Sequence, residues 1–522
     1  MKTLKAVAAF VLLGLAVPLS SHAQTRVLQP VGHDVSAPLR NLPVVPPPTF
    51  DNFNLHLPKP VPSFPNGGPD GALQTKPGQA SVTINNLSGF DGPGTSTGLS
   101  IAGEPPDTNA SVGATQVVVW VNTSFAVYDK TTHAKVFPAS GFAAGNTIWS
   151  GFTSGRCNTD NSGDPIVLYD KQAQRWMFTQ FAVSSTPYFQ CVAVSQTSDA
   201  TGPYNRYAFS FGTSFPDYPK VGVWTDAYYF TFNLFAHGSR FAGADRCALD
   251  RTTALNGGAA TMLCSATSTS FASLLPADLD GASGASGTTA LPPAGTAEYM
   301  ISIGTNSLNV WRITPNFGAG TLSITGPTNL AVASYSRACN GGACIPQSGV
   351  TQQLDSLGDR AMYRFSYRNF GTFASLLVNH SVTAGSSTGV RWYELRDTGS
   401  GPTVFQQSTF APDSSFRWMG SIGQDKLGNI AVGYSISSSA IHPGINFASR
   451  APTDPAGQLS NETNLLTGTG SQNGHNRWGD YSSMSVDPTD DCTFYYANEF
   501  LNSTGDFIWS THVSSFKLGT CQ

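Results

Sequence analysis

One short unit recurs along this chain and limits what it can fold into. The stretch Arg417–Ala440 reads RWMGSIGQDKLGNIAVGYSISSSA. A run of apolar and small residues, Trp418–Ile422, meets a polar turn, Gln424–Asn429, and a second run, Ile430–Ser435, leads away. Two short runs around an Asp- and Gly-containing turn specify a β-hairpin. The same shape returns at Val117–Val127 with Lys135–Phe137, Ile166–Tyr169 with Trp176–Phe181, and Val221–Trp224 with Tyr228–Phe232. It returns again at Tyr299–Ile303 with Leu308–Ile313, Met362–Tyr367 with Phe373–Asn379, and Met484–Val486 with Thr493–Glu499. By subtraction the turn centres stand 41, 56, 79, 64, 56 and 62 residues apart. Hairpins at this spacing predict an all-β fold, a β-propeller of seven four-stranded blades, with six or eight sheets as the counts that would refute it.

Composition agrees with that class. Charged residues make up 11% of the 522, against roughly 25% in an average domain. The formal net charge is −4, and no Lys/Arg run exists, so the chain lacks the footprint of a nucleic-acid partner. Met1–Ala23 reads as a bacterial-type signal peptide: Lys2 and Lys5 precede the apolar run Ala6–Val17, and Ser21 and Ala23 flank His22. That run is too short for a membrane span, so the mature chain is expected to be exported, to the periplasm or beyond, as a monomer without a span. Eight cysteines suit an oxidising compartment. Pairing of sequence neighbours gives Cys157–Cys191, Cys247–Cys264, Cys339–Cys344 and Cys492–Cys521, one of about 105 connectivities.

Residues 24–100 form a Pro- and Gly-rich extended segment, with Pro46, Pro47 and Pro48 in a row, and the propeller domain is expected over 101–522. Thr511–Leu518, tied through Cys521, is the candidate for closing the ring with a strand from the other terminus. Pro276–Pro293 and Ile441–Gln472 read as loop insertions.

The scarce charges gather just ahead of the hairpins. They are Asp107 in GEPPDTN, Asp164 in SGDP, Asp217 and Lys220 in DYPK, and Asp278, Asp280 or Glu298 before the fourth hairpin. Asp359 and Arg360 in GDR, Arg417 in FRWMG, and Arg477, Asp480 and Tyr481 in RWGDY complete the set. Equivalent positions in a propeller face one axis, so these residues are expected to line one polar pocket. Arg360, Arg417 and Arg477 could fork onto a carboxylate, with Lys220, Asp217, Asp359 and Asp480 binding beside them. Asp107 and Asp164 could act as acid, base or hydroxyl ligand. The competing reading is a ring of ion pairs between blades. NTDNSGD places oxygen ligands at Asp160 and Asp164, a pattern for structural calcium that lacks a closing Glu and also fits a hydrogen-bonded turn. His380 with Arg391 and Tyr393 could serve a polysaccharide lyase or be simply packed. Asp487, Asp490 and Asp491 read as turn formers. The expected partner is a glycan or another polar extracellular ligand, bound or cleaved by a glycosidase or lyase; a cell-envelope scaffold is the alternative.

Four stretches carry a resemblance: GEPPDTNASVGATQVVVWVNTSFAVYDK, SGDPIVLYDKQAQRWMFTQF, CVAVSQTSDATGPYNRY and RWGDYSSMSVDPTDDCTFYYANE. They resemble secreted bacterial proteins with a propeller of the sialidase/BNR type, from about Ile101 onward. The sialidase repeat S-x-D-x-G-x-T-W is absent; SIGQDKLGN and SVDPTDDCTF approximate it. A sialidase uses a Tyr nucleophile paired with Glu; Tyr481 and Glu298 could be proposed for these roles, with no family motif around them. Its arginine triad has no matching motif here.

Overall fold

The computed structural model describes residues 24–48, 54–55, 60–79, 82–281 and 291–521. The expected leader, Met1–Ala23, lies outside the described residues. Strands dominate, and the one α-helix, Arg251–Leu255, is five residues long among the described residues. Among the described residues seven antiparallel meanders follow one another, within 109–137, 163–212, 215–266, 275–331, 362–410, 416–466 and 483–518. They are called the first to seventh sheets below. The fourth and fifth are joined by parallel pairing of Leu275–Leu279 with Met362–Asn369.

Successive side chains point to opposite faces of a strand, and most strands are buried at consecutive positions, so most sheets are covered on both faces. The first strands pack side by side in chain order, from Asn109–Val112 through Gly163–Asp170 and onward to Ser483–Val486. That last strand lies against Asn109–Val112 again. Each join between successive sheets holds an aromatic pair. Trp120–Phe178, Phe211–Phe232, Trp224–Tyr299, Tyr299–Tyr367, Phe410–Tyr434, Phe447–Phe516 and Phe90–Tyr128 have ring centroids 4.0–6.2 Å apart. Such pairs add about 0.5–1.5 kcal/mol each beyond the area they bury.

The proline-rich segment runs along the outer edges of the sheets. Arg26–Leu28 extends the third sheet and Gly32–Val35 the second. The Val45 carbonyl accepts from Ala144 N beside the first. Leu73–Gln74 extends the fifth, Gly78 bridges to Ser460 of the sixth, and Ile84–Asp91 completes the seventh by pairing with Trp509–Leu518. Occupying an edge removes its open hydrogen-bonding groups from solvent. The strand at Thr511–Leu518 thus does meet a strand from near the other terminus. All four expected disulfides are formed.

Two expected loops are structure. Leu275–Leu279, which overlaps the start of the stretch Pro276–Pro293 read as an insertion, is the first strand of the fourth sheet. Its PAD sequence breaks the apolar alternation, which hid it. Ile441–Arg450 and Ser460–Leu466 are the third and fourth strands of the sixth sheet, not an insertion. Consequently Glu298 starts a second strand, and Asp278 and Asp280 sit at the far end of a first strand.

Candidate functional site

The leading ends of the first strands share a backbone device. Asp107, Asp164, Tyr218, Met419 and Asp480 all adopt positive φ, between 45° and 60°. Register shifts follow at Gly163/Ile166, Asp217/Lys220 and Trp418/Ser421. A left-handed residue beside a bulge bends the strand and re-aims its side chains. Asp tolerates this conformation better than most residues, whereas Tyr and Met are held there at a cost of order 1–3 kcal/mol.

The bends converge on one buried cluster. Lys220 is fully buried, its Nζ 3.1 Å from the Tyr218 ring centroid and 3.8 Å from that of Tyr481. It donates to the Pro219 carbonyl at 3.1 Å. Tyr481 donates to Asp164 Oδ2 at 3.3 Å and lies 3.2 Å from the Pro219 carbonyl. Asp107 is 1% exposed and its Oδ1 has no hydrogen-bond partner. Burial, then the neighbouring Asp480 and Asp164, push the Asp107 carboxyl well up. Burial, then Asp217 and Asp480, push Asp164 up to about 8 against the pull of Lys220 and Tyr481. Burial drives the Lys220 ammonium well down, opposed by Asp164 and Asp480. Asp217 and Asp359 are only partly buried and form the outer edge of the cluster.

The arginines are already engaged. Arg477 donates to both oxygens of Asp480 at 2.7 Å and to Asp355 Oδ2 at 3.0 Å. Arg360 forks onto Asp359 at 2.8 and 3.3 Å and lies 4.6 Å from the Tyr218 ring centroid. Arg417 does not join the cluster. It forks onto Glu462, at 2.8 Å through both Nε and Nη2, and onto Asp413 at 2.9 and 3.0 Å, within the sixth sheet. The expected three-arginine clamp on a carboxylate is therefore not assembled.

The other sequence candidates lie elsewhere. Arg364 spans the far end, donating to Asp278 at 2.7 Å and to the Met484 carbonyl at 2.6 Å, and pairing with Asp280 at 3.3 Å. Lys171 joins Asp280, and Arg368 forks onto Asp491. Asp487 and Asp490 accept from turn amides of Thr489, Cys492 and Thr493. Glu298 accepts from Ala277 N at 2.6 Å and makes no pair with Tyr481, whose partners are Asp164 and Pro219. Asp160 is taken by Ser162, Ser184 and Arg156, while Asp164 turns to Tyr481, so the two are not presented together for calcium. His380 is buried against Tyr393, 3.0 Å from its hydroxyl, and Arg391 pairs with Asp70. Sequence reasoning missed Tyr218 and Asp355. Tyr218 lay inside the DYPK motif that flagged its neighbours; Asp355 had no local signal, since its partner stands 122 residues away.

No family model matches the chain, and no curated protein matches it. Among solved structures it is similar to an endo-arabinase from Bacteroides thetaiotaomicron VPI-5482, with 11% identity over 54% of this chain and 92% of that one and a TM-score of 0.25. It is also similar to a polysaccharide lyase of family PL25, an ulvan lyase bound to -[GlcA(1-4)Rha3S]-, with 10% identity over 80% and 81% of the two chains and a TM-score of 0.27. Among the described residues no helix is long and apolar enough to cross a membrane.

Proposed function

We propose that residues 101–522, closed by the strand Ile84–Asp91, form a seven-bladed propeller of an exported protein whose mouth binds a polar glycan. Residues 24–100 then act as an edge-covering belt behind a cleaved leader, 1–23. The cyclic packing of the first strands and the four disulfides support this reading. The single observation that carries the ligand class is the convergence of Asp107, Asp164, Lys220 and Tyr481 from four different sheets on one buried point.

Carboxyls, a phenol and an amine that face one another offer donors and acceptors to sugar hydroxyls, while the Tyr218 and Tyr481 rings hold Lys220 in place. Arg360 and Arg477 are saturated by aspartates, so recognition runs through hydroxyls more than through a sugar carboxylate. A second reading rests on Asp164. Its carboxyl holds a proton up to about pH 8 and touches the Tyr481 hydroxyl, the state a general acid of a glycosidase or lyase needs.

The test is a panel of neutral and acidic glycans, assayed for binding and for product release with the wild type and Asp164→Asn. Product release lost in the variant establishes the enzyme. Binding without release establishes the binding module. Neither, across the panel, removes the glycan reading in favour of an envelope scaffold.

A further inference from the structure

A second cluster sits beside the mouth. We propose that Glu104, His475 and Asp506 form a binding site for a divalent cation of the zinc class. Three separate segments supply them: the short strand Gly103–Glu104, the connection from the sixth to the seventh sheet, and the turn between Phe494–Leu501 and Trp509–Leu518. One ligand atom from each lies within 4.8 Å of the other two. His475 Nδ1 is 2.9 Å from Asp506 Oδ1 and 4.0 Å from Glu104 Oε2.

The independent sign of a ligand is Glu104. Its side chain is 1% exposed. Oε1 accepts from Phe507 N at 2.8 Å, which fixes the carboxylate plane, while Oε2 is buried and has no hydrogen-bond partner. A buried carboxylate oxygen left without a donor is costly, and a cation removes that cost. Glu499 adds to the demand: it is buried, interacts electrostatically with Glu104, and its Oε1 also lacks a partner. His475 and Asp506 are each 31% exposed, so the cluster opens to solvent. Gly474 makes room, because a Cβ there would stand 2.1 Å from Asp506 Oδ2.

One imidazole and two carboxylates are a donor set that zinc accepts, with a fourth position left for water. Tetrahedral ligands about 2.0–2.1 Å from zinc stand about 3.4 Å apart. The observed 2.9 and 4.0 Å bracket that spacing, so the His475–Asp506 hydrogen bond opens slightly and Glu104 closes in. The cation would tie down the segment that runs through Arg477 and Asp480 to Tyr481. It would thereby position the mouth without being part of it.

The test uses tag-free protein stripped with chelator and titrated calorimetrically with zinc. One saturable site is expected, weakened about tenfold or more by Glu104→Gln and by Asp506→Asn. Zinc should raise the melting temperature of the wild type and not of the variants. Glu104→Gln keeps an oxygen for Phe507 N; should it fail to fold, the partly exposed Asp506→Asn decides alone. Absence of saturable binding at tens of micromolar zinc, or binding retained by the variants, overturns the site.

Discussion

Tyr481, at the head of the seventh sheet, donates its hydroxyl to Asp164, at the head of the second, at 3.3 Å. The whole first sheet intervenes between them in the order of packing. It places a carboxyl that keeps its proton against a phenol whose own ionisation burial pushes well up.

Stability should therefore fall as pH rises from about 4 to about 8. Asp164 has a folded value pushed up to about 8 from 3.8, so across this window the unfolded chain has lost a proton that the folded chain keeps. With fewer protons bound in the unfolded state the slope is negative, at most about 1.4 kcal/mol per pH unit for this group. Denaturant midpoints measured between pH 4 and 9 check this, and Asp164→Asn should flatten the curve. Because the depressed Lys220 contributes the opposite slope, the difference between wild type and Asp164→Asn isolates this carboxyl, and a difference that does not fall with rising pH would contradict the burial of its proton.

Arg417→Met should destabilise the fold by about 2–3 kcal/mol and leave glycan binding unchanged once folded. It removes the forked donors of Glu462 and Asp413, and the figure sits below that of a fully buried pair because both carboxylates are partly exposed. Paired urea melts and binding isotherms measure both quantities. Lost affinity at unchanged stability would return Arg417 to the pocket.

Lys220→Met should do the opposite. The thioether fills the slot between Tyr218 and Tyr481 at similar volume, and no ammonium then has to be held out of water. The melting temperature should move by only a few degrees, while glycan affinity drops about tenfold, the scale of one hydrogen bond. A collapse in stability with binding intact would make Lys220 a structural ion instead.

Asp70→Asn tests the edge-covering segment. Arg391 and Asp70 pair at 2.6 Å with 0% and 2% of their side chains exposed. Leaving that guanidinium without its counter-charge should cost about 3–5 kcal/mol. Limited proteolysis should then cut the 24–80 segment first. A wild-type melting curve would show that the belt adds nothing to the sheets beneath it.

Short apolar runs and turn residues are local, and they made most of the sheets legible: Trp418–Ile422 and Ile430–Ser435, each buried along its whole length, became adjacent strands on either side of the turn Gln424–Asn429. Cysteine order gave the disulfides for the same reason, since each bridge closes within one sheet or its adjoining turn. The first strand at Leu275–Leu279 escaped because its proline and aspartate mask the period. Convergence at the mouth was only half legible. Asp107, Asp164, Lys220 and Tyr481 share a position ahead of or on first strands, yet Arg417, at an equivalent position, turns into its own sheet. Successive side chains point to opposite faces, and a bulge of one residue decides which face each takes. Whether a charge is free or paired depends on residues such as Asp355 for Arg477, or Asp70 for Arg391, 122 and 321 positions off. No local pattern records such a partner; it exists only once the sheets have closed around it.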